Sequence, residues 1–253
     1  DRTKPVRKMK SALLVACSLL AQHTNAQSPA ANLIPNGSFE VVTAKPYTYD
    51  QLKVAEGWTN VTLGLSEVFD STASFKTVGL PLNDYGSIQP TDGTRCAGFF
   101  AWKDDMRRNW DGGAEDPFKT GWSAYSEYLM IPLVKPLEAG KTYTFSMQVA
   151  LAGNSDRAVS GVGGYFSPVP LRGEHRRFLQ EKAQVATEDI VLERGTWTTI
   201  KDSFEADGGE AYLIIGVFPY VGFDTKRIIE GPDNQYAYYY LDQVDLKLVT
   251  SEQ

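Results

Sequence analysis

The sequence predicts an all-β protein: a jelly-roll β-sandwich with long loops and little helix. Three observations carry that expectation. Residues Lys141 to Leu151 alternate, with Tyr143, Phe145, Met147, Val149 and Leu151 on one side and Thr142, Thr144, Ser146 and Gln148 on the other, which is the period of a half-buried strand. Residues Tyr238 to Leu248 alternate as well, with Tyr238, Tyr240, Asp242, Val244, Leu246 and Leu248 on one face. The links between such stretches are rich in Gly, Pro, Asn and Asp, and helical periodicity is nearly absent. Aromatic residues make up 12% of the chain, with 13 Tyr, 12 Phe and 5 Trp; these fit pleated, half-buried surfaces and also serve as sugar-binding platforms.

Taken in order, Asn32-Leu33-Ile34-Pro35-Asn36-Gly37-Ser38-Phe39-Glu40 is an entry segment with a turn at Pro35-Asn36-Gly37. Tyr47 to Trp58 mixes aromatics with charges and has room for one helical turn. Val61 to Phe69 is expected to be a short strand, Gly79 to Thr94 a loop, and Arg95 to Trp102 a buried strand holding Cys96 as a structural thiol. Lys103 to Trp122 is a long polar insertion without periodicity, and loops of this length are usually functional or mobile. Ser126 to Leu133 is expected as a strand ending near Pro132, followed by a turn at Pro136 to Lys141. Gly161 to Phe166 is a glycine-rich strand, and Arg172 to Gln184 a charged segment expected to form a short surface helix. Thr196 to Phe204 and Ala211 to Phe218 are strands, Gly222 to Gln235 a loop, and Tyr238 to Leu248 the closing strand. No internal repeat or composition break divides the chain, so residues 27–253 form a single domain.

Residues 1–26 are expected to be a signal peptide. Lys8-Met9-Lys10 is basic, Ser11 to Ala21 is apolar, and Thr24-Asn25-Ala26 offers the small residues of a cleavage site. Leu14-Val15-Ala16-Cys17 also fits a lipobox, with Cys17 as a lipid anchor, although the apolar run continues past it. No other stretch is long and apolar enough to span a bilayer. The whole chain has a formal charge of −6, and residues 27–253, with 20 basic and 30 acidic residues, carry −10. That balance argues against nucleic acid and anionic lipid as partners. Cys96 alone remains after residue 26, so no internal disulfide is available.

Catalytic signatures are sparse. His175 is the one histidine beyond residue 26 and lies in the charged run Gly173 to Arg177. No Gly-x-Ser-x-Gly elbow precedes it, no histidine cluster suits zinc, and no glycine-rich phosphate loop opens a helix. A glycoside hydrolase needs only two carboxylates, and Asp104, Asp105, Asp111, Glu115 and Asp116 crowd one loop. Hydrolase, glycosidase or esterase, therefore stands as the third alternative and no catalytic residue is assigned. Binding has better support. Trp102, Trp110 and Trp122 frame the acidic loop, and such rings stack on sugar faces while Asp111 and its neighbours bond hydroxyls. Trp102, Trp110, Asp111 and Trp122 are the candidate ligand-binding residues.

One residue does not suit its predicted surroundings. Asp242 falls among tyrosines and aliphatics, where an unpaired carboxylate is costly. An arginine such as Arg95, a set of backbone amides, or a cation would satisfy it.

Four stretches together carry a resemblance. They are Asn32 to Glu40; Ser126-Glu127-Tyr128-Leu129 with Pro136 to Tyr143; Gly163-Gly164-Tyr165-Phe166-Ser167; and Tyr238 to Val244. In this order they resemble the N-terminal β-sandwich module of exported OmpA-family envelope proteins of Bacteroidota, and more distantly the carbohydrate-binding jelly rolls of the galactose-binding-like class. The resemblance implies a non-catalytic module of the periplasm, outer membrane or cell surface that binds carbohydrate, an envelope glycan or another envelope protein. A structural or protein-interaction domain without a glycan ligand is the alternative. The peptidoglycan-binding role of the OmpA-family C-terminal domain has no counterpart in these stretches and is not carried over. In the galactose-binding-like class the first and last strands often share a structural calcium. The matching positions here are Glu40 and Asp242, so the resemblance implies Ca2+ held between them.

Overall fold

The structure is a computed structural model that describes residues 31–74, 76–104, 124–219, 225–228 and 235–250. The expected signal peptide and Cys17 lie outside the described residues.

Two antiparallel sheets face one another in a jelly-roll β-sandwich. The larger contains β2 (Glu67–Asp70), β5 (Arg95–Asp104), β6 (Ala124–Tyr125), β8 (Thr142–Leu151), β12 (Thr198–Glu205) and β15 (Tyr236–Leu248), in the order β12-β8-β15-β5-β2 with β6 beside the far end of β5. The smaller contains β1 (Thr59–Asn60), β7 (Leu129–Pro132), β10 (Val162–Ser167), β11 (Val185–Ala186) and β13 (Tyr212–Val217), in the order β1-β7-β13-β10-β11. Two short ribbons complete the described strands: β3 (Leu82–Asn83) with β4 (Gly86–Ser87), and β9 (Arg157–Val159) with β14 (Thr225–Arg227). A single 3-10 turn, Leu52–Val54, lies inside the stretch where one helical turn is expected.

The alternation along β8 is realised as predicted. Tyr143, Phe145, Met147, Val149 and Leu151 are buried in the core between the sheets, where they meet Phe99, Phe166, Leu213, Ile215 and Tyr239. The larger sheet is also covered on its outer side. There Phe69, Cys96, Phe100, Tyr238 and Tyr240 form a second buried cluster with Val78, Leu80 and Ile88 from the connection between β2 and β5. Neighbouring residues go to opposite sides: Val68 and Phe99 inward, Phe69 and Phe100 outward. A strand apolar on both faces is buried on both.

Two local expectations are corrected. Arg172 to Gln184 is not helical; it runs as an irregular strap. Consecutive residues Phe178 and Leu179 are both buried but join different clusters, Phe178 the central core and Leu179 the outer face of the smaller sheet. An extended chain can send adjacent side chains to opposite sides. The second correction concerns β15. Its pairing with β8 shifts between Asp242 and Asp245, so that three steps along β15 oppose two along β8, from Gln148 to Ser146. Gln243 takes φ +46° at this bulge, and a bulge inserts one extra residue. Tyr239 and Leu241 therefore face the core before it, and Val244 and Leu246 face the core after it. Asp242 shares the outer side with Tyr238 and Tyr240, not the inner side with Val244 and Leu246 as a strict period of two requires.

The beginning and end of the domain meet at this bulge. The Leu33 N–H donates to Leu246 O (2.9 Å), the Val244 N–H to Gly37 O (2.9 Å), and the Asn32 side chain bonds both Val244 O and the Leu246 N–H. Gly37 is required here, because a Cβ would collide with the Val244 carbonyl.

Candidate ligand-binding face

The residues singled out in the sequence scatter. Trp110, Asp111 and Trp122 lie outside the described residues. Trp102 is 1% exposed and belongs to the central core, so it anchors the sandwich and offers no ring face to a ligand. Register explains its orientation: the β5–β15 ladder shifts between Ala237 and Tyr238, pairing Ala237 with Trp102 but Tyr238 with Phe100, and Trp102 is thereby turned inward beside Ala101.

Glu40 and Asp242 both reach the segment 91–95, as the meeting of the two ends requires, but each has its own donors there. Asp242 Oδ2 accepts from the Thr91 N–H (2.9 Å) and the Thr91 hydroxyl (2.5 Å), and Oδ1 accepts from the Gln243 N–H (2.8 Å). Burial still holds this carboxyl above its ordinary range, against those bonds. Glu40 accepts from the Thr94 and Arg95 N–H groups (2.8 and 2.7 Å) and from the Arg95 guanidinium (3.3 Å). Among the described residues no group of three or more His, Cys, Asp or Glu is placed to hold a metal ion. Calcium takes six to eight oxygens, whereas these two carboxylates are engaged by N–H and O–H donors and one already faces a guanidinium. The residues present do not fit a shared calcium.

A different constellation lies on the outer side of the larger sheet. Phe100 is its hub. Tyr125, Tyr236, Tyr238 and Tyr85 all meet its ring edge-on, with centroids 5.8, 5.4, 4.9 and 5.5 Å away. Tyr85 stacks flat on Tyr238 at 3.8 Å, and Tyr49 meets Tyr85 edge-on at 6.0 Å. Tyr238 is fully buried, while Tyr49, Tyr85, Tyr125 and Tyr236 are half-buried and form the outer layer. The Tyr49 hydroxyl donates to Asp84, which is exposed, and Lys103 Nζ stands 4.7 Å from the Phe100 ring centre.

Two carboxylates sit beneath this layer. Glu67 is 2% exposed and Glu127 is 1% exposed. Glu67 accepts from the Tyr238 hydroxyl (2.5 Å) and, at 3.5 Å, from the Tyr85 hydroxyl. Glu127 accepts from the Tyr125 hydroxyl (2.6 Å) and the Phe100 N–H (2.8 Å). The first contact crosses a strand. Tyr238 is on β15 and Glu67 on β2, with β5 between them, and Gly98 of β5 pairs with both Tyr240 and Glu67. A Cβ at Gly98 would meet the Tyr238 ring and come within 2.7 Å of Phe69 Cε2. The glycine leaves the channel through which the tyrosine reaches the acid. Burial holds Glu127 up at about 8, against its bonds to Tyr125 and Phe100, with Asp50 adding repulsion. Burial, then repulsion from Glu127, holds Glu67 well above the carboxylate range. The outer tyrosines shift too: burial, followed by neighbouring acids, puts Tyr49 and Tyr236 at about 12.

The insertion flagged in the sequence starts and ends beside this face. Its flanks are zipped together as the β5–β6 ladder, Lys103 against Tyr125 and Asp104 against Ala124. Tyr125 and Lys103 are thus members of the face and also the posts of residues 105–123. Sequence reasoning missed Tyr49, Glu67, Tyr85, Tyr125 and Tyr236. A signal existed for Glu67, a lone acid in the otherwise apolar and small-residue run Val61 to Phe69, the same kind of misfit that drew attention to Asp242.

No protein-family model matches the chain, and no curated protein matches it. Solved structures of similar shape exist. The CBM22-1 xylan-binding domain of Paenibacillus barcinonensis Xyn10C is 13% identical, with 88% of this chain and 98% of that one covered and a TM-score of 0.42. The K1 cleaved adhesin domain of Lys-gingipain from Porphyromonas gingivalis W83 is 14% identical over 84% and 96%, with a TM-score of 0.40. The N-terminal cellulose-binding domain of Cellulomonas fimi β-1,4-glucanase C is 15% identical over 88% and 100%, with a TM-score of 0.36. At TM-scores below 0.5 these likenesses bear on neither ligand nor activity.

Proposed function

We propose that this chain is a non-catalytic, exported carbohydrate-binding module of the cell envelope or surface, and that it engages its glycan on the tyrosine face around Phe100. The observation that carries this is the outer layer of half-buried rings, Tyr49, Tyr85, Tyr125 and Tyr236, at the foot of residues 105–123. Aromatic rings stack on the C–H faces of sugars, and acids at their margin accept hydroxyl hydrogen bonds. Asp84 and Asp50 are exposed beside these rings and supply such acceptors. Trp110, Asp111 and Trp122 belong to residues 105–123, whose flanking residues Lys103 and Tyr125 are part of this face. Export rests on the basic and then apolar stretch 8–21.

Binding is favoured over hydrolysis by the position of the acids. Glycoside hydrolysis needs two carboxyls in contact with the scissile bond, and Glu67 and Glu127 are sealed beneath Tyr85 and Tyr125. His175 is half-buried and its Nδ1 accepts from the Arg177 N–H within its own loop (3.2 Å). The test is a glycan array followed by titration calorimetry on the selected glycan, with Tyr85→Ala and Trp110→Ala variants. Loss of one stacking ring is expected to weaken binding by about tenfold, equivalent to about 1.4 kcal/mol. Binding that survives both substitutions moves the site elsewhere, and an array with no glycan retained favours a protein-interaction domain.

A further inference from the structure

Glu67 and Glu127 form a buried cluster whose donors fall short of what two anions need. Among the described residues they receive between them three tyrosine hydroxyls, from Tyr238, Tyr85 and Tyr125, and one backbone amide, from Phe100. One of the hydroxyl contacts is long, at 3.5 Å. No lysine or arginine bonds either carboxylate among the described residues. A buried ion without a counter-ion loses its hydration with nothing to replace it, and the ordinary outcome is that it takes up a proton instead.

The groups that face the pair deepen the deficit. The N-terminal arm brings Tyr49 and Asp50, the turn between β3 and β4 brings Asp84 and Tyr85, and β15 brings Tyr236 and Tyr238. Tyr125 comes from β6, with the Arg176 guanidinium 5.7 Å from its ring centre. Lys103 of β5 acts the other way on Glu127, and it lies over the Phe100 ring.

We infer that Glu67 and Glu127 together retain one proton in the folded protein at neutral pH and that this proton works as a pH-sensitive clasp beneath the tyrosine face. The clasp joins three parts of the fold. Glu67 belongs to the edge strand β2, Glu127 to the crossing from β6 to β7 between the two sheets, and Tyr238 to the central strand β15. With the proton in place, one carboxyl is neutral and the donors suffice for the other. When it leaves, two anions face each other under Tyr85 and Tyr125, and the cheapest relief is for these rings to part and admit water. The inference concerns the folded protein itself and holds whether or not the face binds a glycan.

The sign follows from linkage. Both carboxyls bind protons more tightly folded than unfolded, Glu127 up to about 8. Their contribution to stability is complete below the unfolded carboxylate range and is lost as pH rises through that value. The experiment compares the full chain with Glu67→Gln and Glu127→Gln variants, reading the thermal midpoint from about pH 5 to about pH 9. Wild type is expected to lose several degrees across that range, and either variant to lose about half as much or less. Infrared difference spectroscopy supplies a second readout that needs no variant to fold: the carbonyl stretch of a protonated carboxylic acid, present at neutral pH and bleached on the alkaline side. A wild-type midpoint that does not fall with pH, variants that keep the wild-type slope, or no carboxylic-acid band at neutral pH would each overturn the inference.

Discussion

The short ladder between β2 and β5 has a buried acid at each end, and the two ends are built in opposite ways. At one end Asp70 pairs with Arg95 across the strands. Its carboxylate accepts from Arg95 Nε (2.8 Å), the Thr72 N–H (2.7 Å) and the Thr72 hydroxyl (2.7 Å), while the same guanidinium reaches Glu40. At the other end, three residues away, Glu67 has two tyrosine hydroxyls and a second acid for company. Both side chains are essentially inaccessible. Burial pushes both carboxyls up, yet at Asp70 the Thr72 bonds and the Arg95 charge outweigh it and the acid ends below its ordinary value. At Glu67 nothing outweighs it. The depth of an acid does not decide its charge; the count and sign of its partners do.

Removing the cation is the severest change to this ladder. Arg95→Met strips Asp70 of its counter-ion without opening a path for water, and breaking a buried pair from one side is expected to cost about 3 kcal/mol, read as a lower urea midpoint at neutral pH. The change should also weaken the acid-side behaviour. Asp70 has a lowered folded pKa, so its stabilisation is present above the unfolded carboxylate range and disappears as pH falls through and below it. Without Arg95 that acid-side loss should shrink. Arg95→Met combined with Asp70→Asn should recover part of the deficit, because a neutral amide no longer needs the cation. If the double variant is no more stable than the single one, the guanidinium acts on Glu40 and the backbone of residue 40 rather than on Asp70.

A milder change attacks the other end. Gly98→Ala puts a methyl group where Tyr238 crosses β5 to reach Glu67. Overpacking of this kind is expected to cost about 1–3 kcal/mol. Because the crossing tyrosine is displaced from its acid, the variant should also change the pH slope of the thermal midpoint, which Arg95→Met should leave in place on the alkaline side. A Gly98→Ala protein with wild-type stability and slope would show that the Tyr238 contact is incidental.

Much of the architecture was legible, and the misses have identifiable causes. β8 follows the period of two because it pairs in straight register with β12 on one side and has its inner face in the core. β15 defeated the same rule through one residue, Gln243, whose left-handed conformation adds a step to the strand. Nothing in the local composition distinguishes that bulge, since Asn, Asp and Gly are the usual residues there and glutamine is not. The misreading had a useful result. Asp242 attracted attention for being on the wrong face, and it is in fact on the other face yet still buried, held by Thr91 from a segment 151 residues away. The tyrosine face was invisible for a different reason. Tyr49, Glu67, Tyr85, Glu127 and Tyr238 come from five separate stretches, the N-terminal arm, β2, the β3–β4 turn, the β6–β7 crossing and β15, and only the folded chain brings them together. Spacing rules see neighbours along one strand or helix, not a site assembled across several.

The smallest expected effect tests the ends of the chain rather than the ladder. If calcium bridged Glu40 and Asp242, its removal would unpin the entry segment from β15 and lower the thermal midpoint through ordinary mass action. The donors on each carboxylate argue otherwise: Thr91 and Gln243 on one, Thr94 and Arg95 on the other. EDTA added to protein purified without chelator is therefore expected to leave the midpoint unchanged, whereas Thr91→Val, which deletes the hydroxyl donor at 2.5 Å from Asp242, should cost about 1–3 kcal/mol by leaving a buried acceptor short of a partner. A clear fall with EDTA, restored by calcium, would mean that a cation takes the place of those donors. In that case the two ends of the domain would resemble the Arg95 end of the ladder, where charge meets charge, rather than a closure made of hydroxyls and amides.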